Sequence, residues 1–423
     1  MLDPFYILVI QTDIMSTNNG GVQLIADWYG LKYSYRFDPV REREHRLFMA
    51  PRMITENESL ESHLSKFQGD LMADLTPKRI YSGDPGNGKT HLLLHVSEKL
   101  ASHNFEFKHV ECPALGKSVK PFVLFTELLN RLGGKNAVID LIIDAYKKCR
   151  KDAINEQPEQ YADESEKTLS PYLDKVFLGN TDLTDLTKAA VDNDETKRRN
   201  LWLWLTGGKG DPSITAVNLK DDGAALVRIF KALFSIYEKS TGKKLLVIFD
   251  ELDKGKILGP EASEAWNELF RQICDASQKN AGILMAITPE TLNSKAVIDE
   301  SVKSRVGDGN LIELTKMSDS GDIENFVKEI VAWNRKDGLD VEEKINEFKS
   351  ELNGEDVTVS SYPFTNEAIQ EIGDTYSDSV PRDILGALNR ACAMAQQGGK
   401  HFVTLEYISK LKPDDLSDIP TSE

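Results

Sequence analysis

Apolar positions along this chain follow two rhythms. Short runs that are apolar throughout or at every second residue predict strands at "KRIYSG" (78–83), "FEFKHVEC" (105–112), "KLLVIFD" (244–250) and "AGILMAITP" (281–289). Between them, apolar residues recur every three or four positions in "KTHLLLHVSEKLASH", "PFVLFTELLNRL", "GAALVRIFKALFSIYEKS" and "EASEAWNELFRQICDAS", which predicts helices. Strands alternating with helices predict an α/β fold, with a mostly parallel sheet covered by helices on both faces. A further helix is expected in "MITENESLESHLSKFQGDL", with Thr55 as N-cap and Glu58 as its capping-box partner.

The rhythm changes from about 135 to 220. Helical stretches such as "AVIDLIIDAYKKC" are separated there by polar segments such as "NEQPEQYADESEK" and "LTGGKGDPS", as expected of a helical insertion. Trp202 and Trp204 alternate with leucines in "LWLWL", a pattern that suits a buried anchor better than a base-stacking platform. After "NLIELTKM" the pattern is helical to about 412. The expected organisation is an N-terminal extension (1–50), an α/β core (51–318) carrying the insertion, a helical domain (319–412) and a polar tail (413–423).

Composition narrows the function class. The net charge is −17, from 68 acids against 51 bases, which excludes a generic nucleic-acid coat. The longest cationic cluster is Lys197-Arg198-Arg199. Four scattered cysteines without C-x-x-C spacing fit a reducing compartment and no zinc site. The apolar run "FYILVI" at 5–10 lacks a basic flank and a cleavage site and is too short to span a bilayer, so a cytoplasmic protein is expected. Met15 is an alternative start.

The chemistry begins at Gly83-Asp84-Pro85-Gly86-Asn87-Gly88-Lys89-Thr90, which satisfies G-x-x-x-x-G-K-S/T between a predicted strand and a predicted helix. Glycines let backbone N–H groups turn inward around a β-phosphate at a helix N-terminus. Lys89 is placed to reach the β- and γ-phosphates of ATP, Thr90 to offer its hydroxyl to Mg2+, and His91 closes the nucleotide-contacting stretch. His91 and His95 also have i, i+4 spacing, but without the intervening Glu of a metalloprotease they read as packing or surface residues. At the end of "LLVIFDELDK", Asp250 suits the metal's water shell and Glu251 suits the base that orients an attacking water. Thr288 ends the next strand, where its hydroxyl can hold that water or the γ-phosphate. Arg305 precedes a short strand, and Arg382 opens a late helix in "SVPRDILGALNRACAMAQ".

This order of motifs resembles an AAA+ ATPase, and within that group the origin-recognition and cell-division-control initiator clade with its bacterial relatives. The resemblance covers roughly 50–410. It implies a nucleotide between core and lid, Arg382 as a sensor touching the γ-phosphate, and Arg305 as a finger entering a neighbouring subunit's site, hence a homo-oligomer. In some initiators the finger lies a few residues earlier, where this chain has Ser301. Initiators also append a winged-helix DNA reader after the lid. This chain ends soon after it, so sequence-specific origin binding is not expected. The stretch "LWLWLTGGKGDPSI" resembles ATP-binding proteins of bacterial phage-defence operons of the BREX type. The expected function is ATP hydrolysis coupled to DNA or to a protein partner, in defence, transposition or replication control. The alternative is a slow nucleotide-dependent signalling switch.

Overall fold

The computed structural model describes residues 25–411, apart from 34, 36–42, 50–52, 56, 74, 76, 100–103, 115, 157–165, 193, 211–216 and 277–280. The expectations for residues 1–14 and 413–423 fall outside the described residues. The chain forms two units, 53–315 and 316–423 together with 1–52. The first described helices, Ile25–Trp28 (α1) and Arg43–Leu47 (α2), belong to the second unit.

In the unit 53–315, Met53–Thr55 (β1) and Glu58–Ser59 (β2) form a small antiparallel pair ahead of Leu60–Met72 (α3). This corrects the expected helix start. Met53 and Ile54 are taken into a strand, Ile54 is fully buried and its carbonyl accepts from Thr315 N–H (3.0 Å), so Thr55 is not a cap. Ser59 caps the helix instead, its hydroxyl accepting from Ser62 N–H (3.2 Å). Glu58 does not close a capping box. Its carboxylate takes Lys66 Nζ (2.7 Å) and His63 Nδ1 (3.2 Å).

A parallel five-stranded sheet follows from Lys78–Ser82 (β3), Phe105–Glu111 (β4), Lys244–Asp250 (β5), Ala281–Ile287 (β6) and Leu311–Glu313 (β7), in the order β4-β5-β6-β3-β7. The flanking helices are Lys89–Lys99 (α4), Phe122–Arg131 (α5), Gly134–Glu156 (α6), Glu166–Phe177 (α7), Thr181–Ala190 (α8), Glu195–Leu205 (α9), Gly223–Thr241 (α10) and Pro260–Ala276 (α11). Two short ones, Pro289–Ser294 (α12) and Glu300–Val306 (α13), close the series. The α/β fold that the alternation predicts is therefore present. The interior strand β5 is buried from Leu245 to Asp250, as a parallel strand covered on both faces must be.

Helices α6 to α9 supply the inserted block. They have no separate core: Val138, Ile142, Phe177, Leu186 and Trp204 belong to the same buried cluster as Val247, Phe249 and Met285 of the sheet. Trp204 is 2% exposed and its Nε1–H donates to the Val217 carbonyl (2.9 Å), so it is an anchor. Trp204→Phe leaves that carbonyl without its donor, and a loss of about 1–2 kcal/mol in urea unfolding is expected.

The second unit packs Ser320–Trp333 (α14), Val341–Glu347 (α15), Asn366–Thr375 (α16), Pro381–Gln397 (α17) and Leu405–Ile408 (α18). Tyr29 and Leu31 are fully buried in its core beside Phe326, Ile369 and Leu388. Trp28 Nε1–H donates to the Lys400 carbonyl (2.8 Å), and Lys336 N–H to the Gly30 carbonyl (2.9 Å). The described N-terminal residues thus complete the C-terminal helical core. Among the described residues no helix is long and apolar enough to cross a membrane.

Candidate active site

The glycine loop connects β3 to α4. Gly86 (φ 93°) and Gly88 (φ 78°) hold left-handed backbone that side chains disfavour. A Cβ on Gly83 would lie 3.1 Å from Leu314 Cβ and 3.2 Å from its carbonyl oxygen, so the loop passes close against the strand end of β7. Asn87, 2% exposed, pins it there by donating Nδ2–H to the Leu314 carbonyl (3.0 Å). Asp84 and Pro85 are exposed, and His91 is half-buried on α4, with His95 buried beneath. Lys89 Nζ–H donates to the carbonyls of Gly83 (2.6 Å) and Asp84 (3.2 Å), so the ammonium lies folded over its own loop.

Strand order brings the chemistry together. Because β6 pairs with both β3 and β5, the C-terminal ends of these three strands share one sheet edge. The loop leaves β3 there, the acids leave β5, and Thr288 leaves β6. The Thr90 side chain lies close enough to the Asp250 carboxylate to help lower its pKa. Residues 160 positions apart in sequence thereby meet. Asp250 is 2% exposed and accepts from His109 Nε2 (3.0 Å) and from Glu251 N–H (2.8 Å). Burial by itself pushes its carboxyl up, but the His109 hydrogen bond and charge, the nearby Thr90 hydroxyl and the Glu251 N–H outweigh burial and hold it below the ordinary carboxylate range.

That depression has a sign that can be tested. A carboxyl with a lowered folded-state pKa adds stability above its unfolded value of about 3.9, and loses it as pH falls through the folded value. In Asp250→Asn the amide turns donor hydrogens toward groups that are themselves donors. The variant is expected to melt below wild type at pH 7, with the gap narrowing below about pH 4. A pH-independent gap in calorimetry would contradict this.

Glu251 follows at φ 56°, ψ 34°, a left-handed conformation uncommon for a side-chain-bearing residue. Its carboxylate pairs with Lys254, whose Nζ also contacts Glu111 Oε1 (3.1 Å). Burial, then the hydrogen bond and charge of Glu111, raise the Glu251 pKa against the opposing pull of Lys254. In Glu111 the hydrogen bonds from Glu251 and Lys254 outweigh burial and lower it. A raised carboxyl next to an ionised one suits a group that must accept a proton near neutral pH.

Thr288 caps α12, and its hydroxyl donates to Thr291 Oγ1 (3.0 Å). Arg305 is exposed at the end of α13, with Nε–H donating to Asp275 Oδ1 (2.9 Å) and Nη1–H to the Ser301 carbonyl (2.9 Å). Arg382 is exposed in the first turn of α17, in the other unit. Thus the loop, Asp250, Glu251 and Thr288 gather at one sheet edge, while Arg305 stands on the surface. His109, Glu111 and Lys254 were missed from sequence. The available signal was two polar side chains on one face of an otherwise apolar strand end, two positions apart.

Among the described residues no group of three His, Cys, Asp or Glu side chains is placed to hold a metal. The Thr90 hydroxyl and ionised Asp250 are oxygen donors of the kind Mg2+ takes in company with phosphates and water. The residues present therefore fit it.

No family model matches the chain, and no curated protein matches it. Solved structures do. The Aeropyrum pernix ORC2 protein, in ADPNP–ADP complexes, is 14% identical over 89% of this chain and 70% of its own, with a TM-score of 0.42. The A. pernix ORC1 protein in complex with DNA is 10% identical over 82% and 63%, with a TM-score of 0.43. Domain III of the Thermotoga maritima replication initiation protein DnaA is 11% identical over 84% and 91%, with a TM-score of 0.37.

Proposed function

We propose that this protein binds ATP with Mg2+ at the loop 83–91 and hydrolyses it, as an AAA+ ATPase of the initiator-like kind. The observation that carries the reading is the strand pairing that sets the glycine loop, with Thr90, beside the buried strand-end acid Asp250, whose pKa is held low. The bound ion would supply charge neutralisation for the phosphates. The chain's own part is specific. Backbone N–H groups of 86–90 would face the phosphates, and Lys89 would exchange its two loop carbonyls for phosphate oxygens. Glu251 would orient the attacking water and accept its proton, and Thr288 would position that water or the γ-phosphate.

Arg305 is assigned to a neighbouring copy's site. Its exposure and its replaceable partner Asp275 support that role. Nucleotide state would then control a homo-oligomer acting on DNA or on a protein partner, in defence, transposition or replication control. Steady-state phosphate release tests the reading. The specific rate is expected to rise with protein concentration as copies assemble, and a wild-type chain with no turnover, with or without DNA, would overturn hydrolysis. Gel shifts with ATP at several salt concentrations address DNA, where no ATP-dependent shift at low salt would remove it.

A further inference from the structure

A second cavity of about 770 Å³ lies in the same unit, between the segment 117–122, the start of α10 and the start of α11. None of its lining residues comes from the glycine loop or from Asp250 and Glu251. Its volume falls in the range of pockets that take organic ligands, roughly 300–1,000 Å³, far beyond a single ion. The floor is apolar: Phe122, Leu226 and Leu269 line it and are 8%, 2% and 1% exposed.

The walls are cationic in a chain of net charge −17. Lys117, Lys120 and Lys220 are exposed on the lining, and among the described residues none of their side chains has a hydrogen bond or an ion pair. Arg228 joins them and interacts at longer range with Asp182. Lys231 is ordered by donating to Gln272 Oε1 (2.9 Å), while Gln272 Nε2–H donates to Glu268 Oε1 (2.8 Å). Lys231 keeps further N–H donors for a ligand. Against these five cations the lining carries three acids, Asp221, Glu261 and Glu268. Together with Arg228 and Lys231, the three exposed lysines at one opening make a place suited to an incoming anion. The mouth is tied to the turn after Glu251: Gly259 N–H donates to the Lys117 carbonyl (2.7 Å).

We propose that this cavity is a second ligand site for a nucleoside-phosphate-class molecule. A flat base or ring lies on the Phe122, Leu226 and Leu269 floor, and the phosphates meet Lys117, Lys120 and Lys220. The site does not depend on the loop reading. Isothermal titration of the full chain with AMP, ATP and cyclic di-AMP tests it in the Lys89→Ala background. At least one probe is expected to bind that chain, with at least 10-fold weaker binding in Lys120→Glu/Lys220→Glu. Ala224→Trp, which fills the cavity with melting temperature unchanged, should weaken it similarly. Failure of all three probes to bind the Lys89→Ala chain overturns the proposal, as does binding that neither change weakens. Failure of the loop reading looks different: wild type and Lys89→Ala would then bind ATP equally.

Discussion

Replacing Glu251 by glutamine is expected to slow phosphate release by roughly 10²- to 10⁴-fold, the usual contribution of a positioned general base. ATP affinity should change little, because in the proposed role the carboxylate would act on water rather than on the phosphates. The amide preserves volume and can still meet Lys254, so the left-handed turn at 251 should persist. It cannot accept a proton at neutral pH. Single-turnover phosphate release and equilibrium nucleotide binding on the same preparation separate the two effects. Loss of binding equal to loss of rate would show that Glu251 serves the turn's structure instead of the chemistry.

Lys89→Ala should fail at the earlier step. If Lys89 meets the phosphates as proposed, removing its ammonium would leave their charge uncompensated, so ATP binding is expected to weaken on the order of 100-fold. The fold should tolerate the change, since Lys89 donates to loop carbonyls, one of them, Asp84, exposed where water can replace the ammonium. Equilibrium titration with a fluorescent ATP analogue gives the shift, and an unchanged melting temperature confirms that folding is intact. Unaltered affinity would remove the phosphate role from Lys89.

The two substitutions act on opposite sides of one sheet edge, and their pairing sharpens the reading. One loses chemistry with nucleotide still held; the other loses nucleotide. Asp250 stands between these halves, hydrogen-bonded to His109 and Glu251 N–H, and Asp250→Asn probes it through stability rather than through turnover.

Much of the unit 53–315 was legible in sequence because its interior strands β5 and β6 are buried on both faces. Such strands must be apolar throughout, and "LLVIF" announces this without any neighbour's help. The glycine loop was legible because its positive-φ positions admit few other residues. The start of α3 was not: Thr55 and Glu58 satisfy a capping-box pattern locally, but pairing β1 with β2 and burying Ile54 outweighs a cap's contribution.

By itself, then, the sequence determined the α/β alternation, the glycine loop, the acid strand end and the helical block between them, each written in short-range patterns of polarity and backbone permission. The tertiary structure alone decided strand order, and with it that β6 stands between β3 and β5 and sets Thr288 between loop and acids. It also decided that His109 and Glu111 flank Asp250 and Glu251, that the inserted helices share the sheet's core, and that Tyr29 and Leu31 complete the C-terminal helical core. The reason is common to all four. Each joins residues tens to hundreds of positions apart, and which apolar faces close on one another is settled by the packing of the whole chain.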